Sequence, residues 1–324
     1  MMNDYRLSDP QLPIQPAKLT ITVVGSGAWG TTLATLATQQ GHRVRLWSRR
    51  SGDRLESVLE NADLVISAVS MKGVRSIAAQ VRSLPAPTIV LTATKGLDPE
   101  ATEGLPLLPS QLWQAALPTQ AIVVLSGPNL SQEIQQGLPA ATVVASLDAA
   151  AATTVQTALS SRNFRVYTNP DVLGVELGGT LKNVIAIAVG ACDGLHLGTN
   201  AKAALITRGL AEVIRIGSYW GAKAETFYGL SGLGDLIATC NSALSRNYQV
   251  GYGLAQGKSL AEVLATLQGT AEGINTAQVL VKLAELRGID APISQLVDRL
   301  LKGKITAIAA LEALMTRDFK PEVD

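Results

Sequence analysis

Along the first half of the chain, short apolar runs alternate with longer segments whose apolar residues recur every three or four positions. The runs at 19–24, 43–47, 63–69, 88–93 and 121–125 read as strands, and those at 140–146 and 164–168 extend the series. Helical spacing covers 28–40 and resumes from Lys72. Gly41 stands where a glycine ends a helix. Strands this short and this apolar, separated by helices, predict a parallel sheet covered on both faces and joined by right-handed crossovers.

The second half has a different period. Segments 172–190, 202–219, 260–267, 276–287 and 294–301 all carry helical spacing, and no strand pattern follows Asp171. The change falls at Asn169-Pro170, so the reading is a tail (1–18), a sheet domain (19–170) and an all-helical domain (171–324). No long linker separates the two domains. Close packing with a cleft between them is expected, and ligand sites favour such clefts.

Composition narrows the function. Of 324 residues, 47% are hydrophobic and only 16% charged, so the chain can bury a large core. The net charge of +1 gives no global attraction for nucleic acid or membranes, and any anion site must be local. The longest apolar run, 184–192, is far short of the ~18 residues of a spanning segment and suits a buried helix. The polar, proline-containing N-terminus lacks the apolar core of a signal peptide and reads as a loose tail. Two cysteines (Cys192, Cys240) and two histidines (His42, His196) show no metal-ligand spacing, so no metal is expected. The cysteine usage suits a reducing compartment, hence the cytoplasm.

Between the first strand and first helix lies Val24-Gly25-Ser26-Gly27-Ala28-Trp29-Gly30. A glycine turn there lets backbone amides approach a dinucleotide pyrophosphate, whose charge the helix N-terminus favours. The competing reading is a glycine turn that serves only helix–strand packing. The strand–turn–helix context favours a cofactor and a Rossmann-type sheet domain; the alternative phosphate loop ending Gly-Lys-Ser/Thr is absent. The second strand ends in Ser48-Arg49-Arg50, with no acid before Asp53. An acid there usually holds the ribose hydroxyls of NAD, whereas guanidiniums suit a 2′-phosphate. The expected cofactor is NADPH in preference to NADH; alternatively the arginines are solvated loop charges.

Lys182, next to Asn183, interrupts an otherwise apolar helix. Gly178 and Gly179, four and three positions earlier, are expected to leave open space beside it. Two readings stand: a buried lysine with a lowered pKa, able to act as general acid/base, or a lysine whose amine reaches water. Lys95 closes the fourth strand, and Ser126-Gly127-Pro128-Asn129 follows the fifth; both lie at the sheet edge where ligands bind, though each also suits an ordinary turn. The turn Leu230-Ser231-Gly232-Leu233-Gly234-Asp235 ends in an acid that reads as a helix N-cap or as a partner for a catalytic lysine. Ser245-Arg246-Asn247 would suit a phosphate dianion, or is a surface cluster.

At these motifs the chain closely resembles the bacterial NAD(P)-dependent glycerol-3-phosphate dehydrogenases. The resemblance is collinear from Leu19 to Leu314 and rests on GSGAWGTT, SAVSMKGV, TATKGL, LSGPN, TNPDVLGVELGGTLKNVIAIA, LSGLGDLIATC, SRNYQVG and AEGINTA. It implies reversible reduction of dihydroxyacetone phosphate to sn-glycerol 3-phosphate for glycerophospholipid synthesis. It implies that Lys182 is proton donor and acceptor. By the same resemblance Lys95, Gly127, Asn129, Lys182, Asp235, Ser245, Arg246 and Asn247 would contact substrate. Gly25, Ser26, Gly27, Trp29, Gly30, Arg49, Arg50, Lys95, Ser131, Arg246 and Glu272 would contact NADPH or NADH. A homodimer is a further implication. The chain departs from the family pattern at Asn129, where Ser or Thr is usual, and at 51–61, which lacks the usual longer helical insert.

Two rivals have their own signatures. A two-domain dehydrogenase for a sugar-acid or keto-acid would leave Arg246 unexplained. A non-catalytic NADPH-binding regulator would need no proton donor at Lys182.

Overall fold

The computed structural model describes residues 17–98, 100, 105–318 and 321–322; the expected tail lies almost wholly outside them. The chain runs β1 (Thr20–Val24), α1 (Ala28–Gln39), β2 (Arg43–Trp47), α2 (Leu55–Leu59), β3 (Leu64–Ser67), α3 (Met71–Gln80) and β4 (Ile89–Thr92). It continues through α4 (Pro109–Ala116), β5 (Ile122–Ser126), α5 (Ser131–Gln135), β6 (Ala140–Ala145), α6 (Ala149–Leu159) and β7 (Phe164–Asn169). The seven strands form one sheet in the order β2-β1-β3-β4-β5-β6-β7.

The central strands are the apolar ones. All of β3 and β5 is buried, and all of β1 and β4 except the first residue of each. Alternate residues face opposite sides: Ile21, Val23, Leu64, Ile66 and Leu91 pack with Leu33 and Leu36 of α1. Val24, Val65 and Val90 pack with Val74, Ile77 and Trp113 on the other side. The edge strand β2, by contrast, is mostly exposed or half-buried.

The sheet is not wholly parallel, as the pattern had suggested. β6 pairs antiparallel with β5, and β7 runs parallel to β6. The helix between β5 and β6 has five residues and rises about 7–8 Å. That is too little to return the chain to the starting edge of a five-residue strand, so it turns back beside β5.

Beyond Asn169 the described chain is helical. Asp171 starts α7 (Val172–Gly194): its Oδ1 accepts from Gly174 N (3.0 Å) and its Oδ2 from Thr226 Oγ1 (2.6 Å). Then come α8 (Gly198–Tyr219), a 3₁₀ turn (Ala224–Tyr228), a π turn (Leu230–Gly234), α9 (Asp235–Cys240), α10 (Arg246–Ala255), α11 (Leu260–Thr266), α12 (Glu272–Arg287), α13 (Pro292–Leu301) and α14 (Ala307–Met315). α7 is the axis of this half, packed against α8, α9, α10 and α12 and, on its other flank, β5. It is long and apolar enough to cross a membrane, yet 83% of its most apolar stretch is buried in this fold, as a core helix requires. Both cysteines are buried and unpaired.

Candidate active site

The glycine turn sits at the topological switch point, where the chain leaves β1 for β2 on one side and β3 on the other. Gly25 has φ +117°, and a Cβ there would lie 2.6 Å from Ala68 O at the end of β3. A Cβ on Gly30 would fall on Gly25 O. Gly27 differs, since a Cβ there would meet nothing within 4 Å. It caps α1 without a side-chain hydrogen bond, and the first turn of α1 carries no acid. The positive end of α1 therefore opens onto free space over a backbone that glycine keeps low, which fits a dinucleotide pyrophosphate. Ser26 is exposed there, and Trp29 packs, half-buried, against the core around Leu33. Arg49 and Arg50 are exposed on the bend after β2 and form no ion pair among the described residues.

A second constellation lies beyond the ends of β4 and β5. Lys182 on α7 is 6% exposed, which decides between its two readings in favour of burial. Its Nζ donates to Asp235 Oδ1 and to Thr239 Oγ1. Lys95 Nζ donates to the other carboxylate oxygen, Asp235 Oδ2, at 2.6 Å and to Gly127 O at 3.2 Å. Two ammonium groups thus share one carboxylate. Asp235 is the first residue of α9 and does not cap it; Gly234 occupies the cap position. Burial lowers the Lys182 pKa from 10.5 to about 8; Asp235 opposes that fall and Lys95 adds to it. The amine can therefore give or take a proton close to neutral pH.

Gly178 and Gly179 do not leave the expected open space. A Cβ on Gly178 would lie 2.7 Å from Ser231 O, and one on Gly179 would strike Ser126 Oγ and approach Lys95 Cε at 3.2 Å. The absent side chains let the π turn and the ends of β4 and β5 close on α7, bringing Lys95 and Asp235 to Lys182.

The rim comes from α10 and α12. Ser245 caps α10, its Oγ accepting from Tyr248 N (3.2 Å), and Arg246 is exposed in the first turn. Asn247 is buried: Nδ2 donates to Asn183 Oδ1 (2.9 Å) and Oδ1 accepts from Gly273 N (2.9 Å). Glu272 opens α12 and accepts from Met71 N of α3 at 3.3 Å, linking the two halves. Burial raises its carboxyl pKa, against the Met71 hydrogen bond and the charges of Arg246 and Lys72. Asn129 spends its amide on Thr142 Oγ1 (3.1 Å), leaving Oδ1 buried without a partner, and Ser131 opens α5 half-buried.

Lys95, Gly127, Lys182 and Asp235 therefore form one hydrogen-bonded network, with Asn247 tied to the residue after Lys182. Arg246 and Glu272 gather beside the start of α3. Arg49 and Arg50 stand apart, after β2. Sequence reading missed Thr239. Its signal was the four-residue spacing from Asp235, which puts both on one helix face.

Comparison with known proteins gives a consistent match. The model for the NAD-dependent glycerol-3-phosphate dehydrogenase N-terminus matches residues 20–54 and 51–152, and that for the C-terminus matches 171–312. A glycerol-3-phosphate dehydrogenase (NAD(P)+) from Trichormus variabilis is 65% identical over 305 residues, covering 94% of this chain and 98% of the relative. One from Synechocystis is 60% identical over 306 residues, covering 94% and 95%. The crystal structure of glycerol-3-phosphate dehydrogenase from Coxiella burnetii superposes with a TM-score of 0.87 at 32% identity, covering 93% of this chain and 99% of that one.

Proposed function

The chain belongs to the NAD-dependent glycerol-3-phosphate dehydrogenases, and from that premise we propose how its residues divide the work. It is an NAD(P)-dependent oxidoreductase that reversibly reduces dihydroxyacetone phosphate to sn-glycerol 3-phosphate, a step that supplies glycerophospholipid synthesis. The finer assignments are ours. Residues 19–170 form the dinucleotide-binding domain and 171–324 the helical substrate and catalytic domain, with a few residues of each reaching into the other's site.

A reduced nicotinamide dinucleotide, held by its pyrophosphate at the Gly25–Gly30 turn, would supply hydride to the substrate's carbonyl carbon. The turn's backbone, with Ser26, Trp29, Ser131 and Glu272, would hold that cofactor. Arg49 and Arg50 would meet a 2′-phosphate and favour NADPH over NADH. Their exposure, the lack of any acid before Asp53 and their freedom from ion pairs among the described residues support that preference. Lys95 and Arg246 serve both ligands, at the boundary between them.

Lys182 gives its proton to the carbonyl oxygen as charge develops there, and takes it back in the oxidative direction. The observation that carries this role is a buried amine, held by Asp235 and Thr239 and repelled by the second ammonium of Lys95. Lys95, the second ammonium on the shared Asp235 carboxylate, adds positive charge beside an oxygen on which negative charge develops. Ser245, Arg246 and Asn247, with Gly127 and Asn129, would hold the phosphate and backbone of the substrate, which turns its ketone toward Lys182. We place the enzyme in the cytoplasm, acting on a small phosphorylated substrate, as a homodimer.

The test is oxidation of NADPH, then NADH, with dihydroxyacetone phosphate as the only acceptor. Turnover with both cofactors and a lower Michaelis constant for NADPH are expected. Equal or better use of NADH would overturn the roles of Arg49 and Arg50.

A further inference from the structure

Glu176 is buried, carries no catalytic role above, and reaches across the molecule. It lies on α7, and its Oε1 accepts from Ser110 N at 2.8 Å while Oε2 accepts from Ser110 Oγ. Ser110 is the second residue of α4, after Pro109, whose nitrogen bears no hydrogen. The α4 cap residue, Leu108, has no polar side chain to offer. The N-terminus of a helix in the sheet half is therefore capped by a carboxylate from the helical half.

One turn along the same face of α7, Thr180 Oγ1 accepts from Gly96 N at 3.1 Å. Gly96 follows Lys95, and Thr180 precedes Lys182 by two residues. Two acceptors on α7 thus engage the sheet half on either side of the point where Gly179 meets Ser126 and Lys95. Glu176 is 2% exposed, and among the described residues no cation offsets its charge. Burial raises its carboxyl pKa to about 7, against only the two Ser110 hydrogen bonds. A buried carboxylate without a counter-charge is costly. An apolar residue would fill the space more cheaply, so what the carboxylate adds is direction.

We propose that Glu176 is a positioning residue: by capping α4 from α7 it registers α7 against the sheet half, and so sets Lys182 where Asp235 and Lys95 can share it. The inference rests on the reading of Lys182 as proton donor, and its test separates the two.

The variants are Glu176→Ala, Glu176→Gln, which keeps an acceptor for Ser110 N, and Ser110→Ala, which loses only the hydroxyl contact. Turnover and Michaelis constants are measured with NADPH and dihydroxyacetone phosphate. The Lys182 amine is titrated separately by NMR of ε-¹³C-lysine, assigned with Lys182→Arg. In Glu176→Ala, turnover should fall roughly 10- to 100-fold, the cost of a misplacement of up to about 1 Å. NADPH affinity should hold and the Lys182 titration should move; Glu176→Gln should recover most of both. Should Glu176→Ala not fold, Ser110→Ala carries the test with a smaller shift in the same direction. A folded variant whose Lys182 titration matches wild type overturns the proposal, whatever its turnover. A shifted titration with unchanged turnover upholds the positioning and sinks Lys182 as proton donor.

Discussion

The glycine turn and the lysine cluster are built on opposite principles. The turn is backbone: Gly25 and Gly30 permit close approach, Gly27 leaves space, and the end of α1 supplies charge. Its parts are neighbours in sequence. The cluster is side chain: Lys95, Lys182, Asp235 and Thr239 come from the end of β4, from α7 and from α9. Its parts meet only after folding, in a buried place where each charge alters the others. A backbone site can hold a cofactor shared by many reactions, whereas a buried charge cluster can set one proton affinity for one reaction.

If the division is right, damage to each region should fail differently. The largest effect is expected from Lys182→Ala: turnover should fall about 10²- to 10⁴-fold, the usual worth of a general acid, with NADPH affinity unchanged in a binding titration. Next is Asp235→Ala, which leaves Lys182 and Lys95 without their shared anion. A loss of about 3 kcal/mol in denaturant unfolding is expected, with the secondary structure of the sheet half intact. Arg246→Ala should act on substrate, raising its Michaelis constant about 10- to 100-fold, in keeping with ~1.5–3 kcal/mol for a charge-assisted hydrogen bond. The smallest change is expected from Arg49→Asp, which should cut the preference for NADPH over NADH by about fivefold, an exposed charge contact being worth roughly 1 kcal/mol. Loss of NADPH affinity in Lys182→Ala, or of turnover alone in Arg49→Asp, would break the comparison.

The same contrast explains what the sequence disclosed. The strand–glycine turn–helix unit is contiguous, so its pattern could be read along the chain. Lys182 was visible as a charge in an apolar helix, but its partners lie 53 and 57 positions away, at Asp235 and Thr239. No linear spacing encodes that: along the chain Asp235 suits a helix cap as well as a partner for a lysine, the family resemblance implies only that it contacts substrate, and the pairing comes from the fold. Gly178 and Gly179 were misread as leaving space because a missing side chain looks the same whether a void or a neighbour fills its place. The antiparallel β6 was hidden for a similar reason, since side chains alternate alike in both strand directions. α10 escaped because its buried face is made by Asn247, Val250, Gly251 and Gly253, only one of them a large apolar residue.

In the proposed mechanism the buried Lys182 amine carries the proton. Facing it are Asp235, Thr239, Lys95 and Cys240, and burial brings its pKa to about 8. Reduction needs the ammonium form and oxidation the free amine. Turnover measured in both directions across pH 6 to 10 tests this most directly. The reductive rate should fall as pH rises through about 8 while the oxidative rate climbs through the same point. Two profiles that move together, or that show no inflection near 8, would contradict the account.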